Sequence, residues 1–316
     1  MLTRFNRTLS KIVGLAMVCC YPTLGLAAGP SEPAEVVTFR SSVNEVRLVF
    51  FAKDDHNHPV AELQKNDFAV IDDERVIRDF RSFNRSSMMK LDIVVLIDSS
   101  ESVLPQFKKE MGQVLQLISH GPWSEGDSVS VVAFSGMEAR VVCEKVCDSA
   151  LSGDHTKYWT TGGATPLFDA VELATKLIEK HRRPDVWPVL VIFSDGDDTI
   201  SNSTFKDALH SVRAVAAQVY AIDLGRPGLP TNGTATLQNL AYESGGRWIR
   251  ISDGASTVFN SVIDDLHSAH VVTYKLPESV SEFHQVQILP TRNLKLQFRC
   301  RRGYYSTNGT QKEEGL

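Results

Sequence analysis

Acidic and hydroxyl side chains occur in three short segments of this 316-residue chain, each just before a predicted helix. The first segment, Asp98-Ser99-Ser100-Glu101-Ser102, has the pattern D-x-S-x-S directly after an apolar stretch. Carboxylate and hydroxyl oxygens are hard ligands, which suit Mg²⁺ and similar cations. Ser and Asp before a helix are also ordinary helix caps, so this segment alone is weak evidence for a metal site.

Two further segments strengthen the prediction of a cation site. Thr165 lies in Thr161-Gly162-Gly163-Ala164-Thr165-Pro166, which joins a turn to a helix and supplies a hydroxyl group. Asp195 lies in Ser194-Asp195-Gly196, which ends an apolar strand and supplies a second carboxylate. Each segment also reads as an ordinary turn or cap. The three together, in this order, predict a metal site formed by Asp98, Ser100, Ser102, Thr165 and Asp195.

Strands and helices alternate over residues 91–270, and this alternation indicates how the three segments are brought together. Nearly continuous apolar runs at 91–97 and 187–193 are typical of strands that are buried on both faces. Helices are predicted at about 105–120, 166–181, 204–217, 237–244 and 257–269. The pattern predicts an α/β fold with a doubly wound, mostly parallel sheet, in which binding sites lie at the carboxyl ends of the strands.

Two regions that flank the α/β part, residues 36–85 and 271–305, are predicted to form small antiparallel β elements. Predicted strands lie at 43–51, 67–73 and 76–83 in the first and at 271–274, 283–288 and 294–300 in the second. Both ends of the α/β region are expected at the N-terminal side of its sheet. We therefore expect the two β elements to pair with each other there, and residues 306–316 to form a tail.

The D-x-S-x-S segment at Asp98 is the most specific part of a resemblance to a known family. Residues 91–270 resemble the von Willebrand factor type A domain, a Rossmann-like fold, with its metal-ion-dependent adhesion site. Thr165 and Asp195 match the other two loops of that site. The flanking segments 59–70 and 303–305 are similar to a bacterial family called "VWFA-related", which is abundant in Acidobacteria.

The resemblance implies a divalent cation and a protein partner. By analogy with the family, Ser100, Ser102 and Thr165 coordinate the metal directly or nearly so, and Asp98 and Asp195 bind directly or through water. Mg²⁺ is the expected cation, with Mn²⁺ or Ca²⁺ as alternatives. Because the ligands carry few charges, the metal keeps an open position, which takes an acidic side chain of the partner protein. The predicted function is a metal-dependent protein-binding module for adhesion or assembly, without enzyme activity.

Two other function classes are alternatives, and a third is disfavoured by the charge. An envelope scaffold would use the fold without a metal. A metal-dependent phosphohydrolase would use Asp98 as its nucleophile, but Ser100 stands where a second carboxylate is usual, and no G-x-S-x-G or H-E-x-x-H motif is present. The net charge of −5, from 33 Lys and Arg against 38 Asp and Glu, disfavours nucleic acid as the partner.

The N-terminus predicts export. Residues 1–28 have a cationic start, an uncharged apolar run at 12–20 and small residues near position 28, as secretory signals do. This run and all later ones are shorter than the roughly 20 residues of a membrane-spanning helix, so no such helix is expected after cleavage. The protein is therefore predicted to be periplasmic or secreted. A lipoprotein anchored at Cys19 or Cys20 is the alternative.

Several other residues have two interpretations. Cys143 and Cys147 are close enough in sequence for a disulfide, although unpaired thiols fit equally well. Trp159 either flanks the partner-binding rim or is buried under the Thr165 loop. The remaining acidic residues are interpreted as rim, turn or solvated surface: Asp197 and Asp198 as rim, Asp223 as a turn residue before Gly225, and Asp72-Asp73 and Asp264-Asp265 as turns or surface.

Overall fold

Residues 45–86, 89–121, 123–145, 147, 161–225, 231–251, 254–277 and 282–306 are described by the computed structural model. The predicted signal with Cys19 and Cys20, Trp159 and residues 307–316 lie outside them. The described residues belong to one unit.

The strands alternate with the helices through the middle of the chain and are alone at its two ends. The strands are β1 (Glu45–Lys53), β2 (Phe68–Asp72), β3 (Arg75–Ile77), β4 (Ser82–Arg85), β5 (Lys90–Asp98), β6 (Ser128–Ser135), β7 (Glu138–Cys143), β8 (Val186–Ser194), β9 (Gln218–Asp223), β10 (Arg247–Arg250), β11 (His270–Lys275), β12 (Phe283–Pro290), β13 (Gln297–Cys300) and β14 (Gly303–Tyr305). The α-helices are α1 (Leu104–His120), α2 (Leu167–Lys180), α3 (Phe205–Ala214), α4 (Asn232–Ser244) and α5 (Ala255–His267).

The central sheet has the order β10-β9-β8-β5-β6-β7, with all neighbours parallel except the β6–β7 pair. Side chains of β5 alternate between two cores. Ile93 and Val95 pack with α1 and α5, and Val94 and Leu96 pack with α2, α3 and α4. Burial on both faces explains why this strand is a continuous apolar run. The predicted doubly wound α/β fold is confirmed.

The flanking strands form two antiparallel sheets, β13-β1-β11-β4 and β14-β12-β2-β3, with a shared apolar core between them. Both sheets combine strands from the two ends of the chain, which alternate in the first sheet and meet at the β12–β2 pair in the second. The Phe51 ring on β1 lies 6.3 Å from the ring of Trp187, which stands near the N-terminal end of β8. The N-terminal and C-terminal strands therefore pair at the predicted side of the central sheet.

The prediction of one strand at 76–83 is wrong. The segment divides into β3 and β4, which belong to different sheets. Phe80, between them, is buried and stacks on Phe68 with ring centroids 5.1 Å apart. Burial of this ring requires the chain to leave one sheet and enter the other. Helix α4 also begins five residues before the predicted position, where the Thr231 side chain accepts a hydrogen bond from the backbone N–H of Thr234.

Two further features concern export and anchoring. Cys143 and Cys147 form a disulfide, and Cys300 is a buried free thiol. Within the described residues, every helix is too short or too polar to cross a membrane.

Candidate metal site

Asp98 is the last residue of β5 and is fully buried. Its Oδ1 accepts a hydrogen bond from the Ser100 backbone N–H at 2.9 Å, and its Oδ2 accepts one from the Ser194 hydroxyl at 2.6 Å. Ser194 ends the neighbouring strand β8. The carboxylate is therefore fixed between two adjacent strands at the carboxyl edge of the sheet. Ser194 was not among the site residues predicted from the sequence, although it directly precedes Asp195.

Hydroxyl groups connect Asp98 to the second predicted carboxylate. The Ser100 and Ser102 hydroxyls lie 3.2 Å apart, and the Ser102 side chain hydrogen-bonds to Asp195. Asp195 is half-buried in the loop after β8. Gly196 follows with a φ of +82°, and a Cβ atom there would lie 2.1 Å from the Gly233 carbonyl oxygen. Only glycine fits this turn, so the loop that holds Asp195 is tightly defined.

Thr165 lies in the third loop, which packs against the first. The Gly162 N–H donates to the Ser99 carbonyl at 2.8 Å, and the Glu101 N–H donates to the Gly163 carbonyl at 3.3 Å. Thr165 is buried, and its N–H donates to the Thr199 hydroxyl at 2.8 Å. The five predicted residues thus lie on three adjoining loops at one edge of the sheet. Their coordination of a metal stays a prediction.

The two carboxylates are in an environment that disfavours negative charge. Burial raises the pKa of Asp98 to about 6, and burial also raises the pKa of Asp195. Neither carboxylate forms an ion pair with a basic side chain in the described part of the chain. A bound cation would supply the missing positive charge. The donor set of carboxylates and neutral hydroxyls fits Mg²⁺, Mn²⁺ or Ca²⁺.

The acidic residues around the site have other partners. Asp198 Oδ1 accepts from the Phe168 N–H at 3.2 Å and so caps the start of α2, whereas Asp197 is exposed at the rim. Asp223 is buried, and its Oδ1 accepts from the Gly225 N–H at 2.8 Å, which is the predicted turn contact. Its Oδ2 also pairs with Arg250 at 3.0 Å. That pairing neutralises a third carboxylate near Asp195.

The interpretation of Asp72 and Asp265 as turn or surface residues is wrong. Asp265 is buried, accepts a hydrogen bond from the Tyr220 hydroxyl at 2.7 Å and pairs with Arg299 at 2.6 Å. Asp72 is fully buried among residues that lie about 200 positions later in the chain. The sequence does not reveal these partners, because a pair of acids carries no signal of contacts at such separations.

Asp72, Asp73 and His284 form a second group of residues with metal-ligand chemistry, whose ligand atoms all lie within 4.8 Å of one another. The Oδ2 atom of Asp72 already accepts hydrogen bonds from the hydroxyls of Tyr274 and Tyr304, at 2.7 and 2.6 Å. His284 Nδ1 lies 3.3 Å from Asp72 Oδ1. We therefore interpret the group as a polar hub that joins the two flanking sheets.

Residues 93–197 match the family model described as von Willebrand factor type A domain. This region is a von Willebrand factor type A domain. The matched residues include all three loops of the site, and domains of this family are often metal-dependent protein-interaction modules. No curated protein matches the chain in sequence.

The solved structures that resemble this chain do so only distantly. An aerotolerance-related membrane protein from Bacteroides fragilis is 18% identical, with a TM-score of 0.42, over 56% of this chain and 98% of the other. Manganese-loaded TRAP protein of Plasmodium vivax is 14% identical, with a TM-score of 0.43, over 74% and 98%. Proximal thread matrix protein 1 of the mussel byssus is 18% identical, with a TM-score of 0.45, over 58% and 49%. All three TM-scores lie below 0.5.

Proposed function

We propose that this protein binds a partner protein through a divalent cation held by Asp98, Ser100, Ser102, Thr165 and Asp195. The observation that carries the proposal is the line of hydroxyl and carboxylate oxygens at one sheet edge, whose two carboxylates have no basic partner among the described residues. Mg²⁺ is the proposed cation, with Mn²⁺ or Ca²⁺ as alternatives. When bound, the cation would offer an open coordination position to an acidic side chain of the partner.

We also propose that the protein is exported, to the periplasm or the medium. The predicted signal at residues 1–28 supports export, with lipid attachment at Cys19 or Cys20 as the alternative form. The disulfide between Cys143 and Cys147 supports it too, because disulfides persist mainly in oxidising compartments. A binding role without catalysis is favoured, since Ser100 stands where a phosphoryl-transferring enzyme would use a second carboxylate.

Thr165→Val tests the metal site with little disturbance of the fold. The change removes one hydroxyl, whereas the two backbone contacts of Thr165 with Thr199 are retained. We expect the affinity for Mg²⁺ to fall roughly tenfold or more, and the thermal stability of the metal-free protein to change little. Calorimetry with Mg²⁺ and Mn²⁺ measures the affinity, and a pull-down from an envelope extract with and without chelator measures partner capture.

Asp197→Asn is the matched control for cation binding, because Asp197 is exposed at the rim and this variant should bind Mg²⁺ as the wild type does. Equal Mg²⁺ heats for the wild type and Thr165→Val would contradict the metal site. Partner capture that persists both in the presence of chelator and in Thr165→Val would favour the alternative function, an envelope scaffold that needs no metal. Turnover of a generic phosphate ester that Thr165→Val abolishes would favour the phosphohydrolase.

Two exposed apolar residues beside the Thr165 loop indicate what surrounds the partner's acidic residue. Met137, in the turn between β6 and β7, is 80% exposed, and the adjacent Gly136 N–H donates to the Ala164 carbonyl at 2.8 Å. On the other side of the loop, Ile200 is 37% exposed. It follows Thr199, whose N–H donates to the Thr165 carbonyl. Single exposed apolar side chains are common, so these two support a contact surface only because both flank the Thr165 loop. We infer that apolar residues neighbour the partner's acidic side chain.

Met137→Gln should therefore weaken partner binding about three- to tenfold, because the apolar contact area is lost. The affinity for Mg²⁺ should stay unchanged, since Met137 offers no hard oxygen. Leu294→Gln is a suitable control, because Leu294 is similarly exposed, at 77%, in the loop between β12 and β13. Surface plasmon resonance with the captured partner measures the effect. Equal losses in the two variants would contradict a contact that is specific to Met137.

A further inference from the structure

A cleft of about 680 Å³ lies at the N-terminal end of the central sheet, opposite the metal site. One wall is the face of β1 and β11 that carries Val49 and Thr273, and the floor is formed by the first residues of β5, β8 and β9. The turns that follow α2 and α3 complete it. Much of the lining is apolar, with Val49, Met89, Ile178, Trp187 and Val215 among its members. This volume and lining are typical of small-molecule sites.

The charged residues of the cleft are mostly arginines. Arg47, Arg182, Arg183 and Arg301 line it, against the two acids Glu45 and Asp92. Both acids already have partners: Glu45 pairs with Arg81, and Asp92 accepts from the Ser128 hydroxyl and contacts His181. Their charge is therefore engaged outside the cleft, and the cleft has an excess of positive charge.

Three of the arginines form no close ion pair within the described part of the chain. Arg182 pairs with Glu179 at 3.1 Å, whereas Arg47, Arg183 and Arg301 form no ion pair with a described carboxylate. An excess of unpaired guanidinium groups beside an apolar lining favours a ligand that carries a negative charge.

Arg301 has one guanidinium nitrogen left without a hydrogen-bond partner, although Asp72 attracts the group electrostatically and its Cζ lies 4.9 Å from the centre of the Tyr304 ring. Its Nη2 donates to the Arg47 carbonyl at 2.9 Å, and its Nε is buried without a hydrogen-bond partner. Burial lowers the pKa of the guanidinium below its ordinary value. A guanidinium group in this position is stabilised by an anion nearby, because a desolvated charge is unfavourable unless it is paired.

We propose that this cleft binds a small amphiphilic anion, with an apolar chain on the Val49 and Trp187 side and a carboxylate or phosphate monoester head among Arg47, Arg183 and Arg301. Shape supports the apolar part, and the unpaired arginines support the anionic head. The site is independent of the metal site, because the two lie at opposite ends of the central sheet. It does not depend on the proposed function.

Calorimetry of the purified chain with decanoate and with monodecyl phosphate, each below its micelle concentration, tests the proposal. The two probes distinguish a carboxylate head from a phosphate head. We expect one equivalent of at least one of them to bind, and decyltrimethylammonium, which has the same chain and a positive head, to bind at least roughly tenfold more weakly. Chelator should leave the binding unchanged, which separates this site from the metal site.

Variants identify the residues involved. Arg47→Gln combined with Arg183→Gln should weaken anion binding roughly tenfold or more, since charge-assisted hydrogen bonds are lost. Arg292→Gln removes the same charge from an exposed residue outside the cleft and should have no effect. Thr273→Phe fills part of the cleft and should also weaken binding. The proposal is overturned if neither anion binds, if the cationic probe binds equally well, or if the Arg47/Arg183 and Arg292 variants behave alike.

Discussion

Replacement of Asp98 by asparagine is expected to abolish Mg²⁺ binding and, at the same time, to stabilise the metal-free protein near pH 7. Asparagine keeps the size of the side chain and an oxygen that accepts from the Ser100 N–H. It removes a buried negative charge that has no basic partner among the described residues. A residue that only caps the following helix would show the opposite behaviour, because its loss destabilises a protein by about 1 kcal/mol.

The raised pKa of Asp98 determines whether this residue stabilises or destabilises the folded protein at a given pH. Burial raises the pKa of Asp98 from 3.8 to about 6 in the folded protein, so the folded state binds more protons than the unfolded state between these values. The contribution of Asp98 to the free energy of unfolding is therefore present below pH 4 and is lost as pH rises to about 6. The loss amounts to about 3 kcal/mol and is constant at higher pH.

Urea unfolding of the wild type and Asp98→Asn in chelator, at pH 4.5, 6 and 7.5, measures the difference. The variant should gain stability relative to the wild type as pH rises across this range. Saturating Mg²⁺ should reverse the order, because ligand binding stabilises only the wild type. Asp197→Asn, an exposed neighbour, serves as the control. A variant that is less stable at every pH and still binds Mg²⁺ would show that Asp98 has only a structural role.

The fold and the site loops were predictable because their signals are local. Strand β5 is apolar on both faces, and the alternation of such strands with helices leads directly to a doubly wound sheet. In this fold the carboxyl ends of β5 and β8 must lie side by side, which brings Asp98 near Asp195. Ser194 follows from the same register, since its strand position places it beside the end of β5.

Contacts between distant parts of the chain were not predictable. The buried acids Asp72 and Asp265 look like any surface pair in sequence, and their partners lie on strands in distant parts of the chain. The prediction of one strand at 76–83 was wrong for a related reason. Phe80 is buried in a core to which both ends of the chain contribute, and the chain passes from one sheet to the other at this point. Local patterning contains no information about which sheet a short strand joins.

Asp72→Ala is expected to destabilise the protein by about 3–5 kcal/mol, a large share of the stability of a typical domain. The Tyr274 and Tyr304 hydroxyls, both buried, donate to the same Asp72 oxygen, at 2.7 and 2.6 Å. Alanine would leave both hydroxyls without this acceptor in a buried core, whereas His284 Nδ1 would still lie 2.9 Å from Asp73 Oδ2. Buried polar groups that lose their partner retain the full desolvation penalty.

The variant Asp73→Ala also removes a negative charge. It therefore shows how much of the destabilisation by Asp72→Ala comes from loss of charge alone. Asp73 is the adjacent residue, its side chain is 28% exposed, and its Oδ1 accepts from the Gln285 N–H at 2.9 Å. We expect this variant to lose only about 1 kcal/mol. In a Tyr274→Phe background, Asp72→Ala should be less destabilising by about 1 kcal/mol, because one of the unpaired hydroxyls is then absent.

Urea unfolding of the five proteins (the wild type, the three single variants and the Tyr274→Phe/Asp72→Ala double variant) gives these differences, and calorimetry with Mg²⁺ or Mn²⁺ gives a second criterion. If Asp72 and Asp73 act only in the hub, both single variants should retain the wild-type number of bound cations, since the proposed metal site lies at the far edge of the central sheet. Loss of one equivalent of metal in Asp73→Ala would instead make Asp72, Asp73 and His284 a metal site. Equal destabilisation by Asp72→Ala and Asp73→Ala would contradict the role of the tyrosine hydroxyls, because only Asp72 accepts from them.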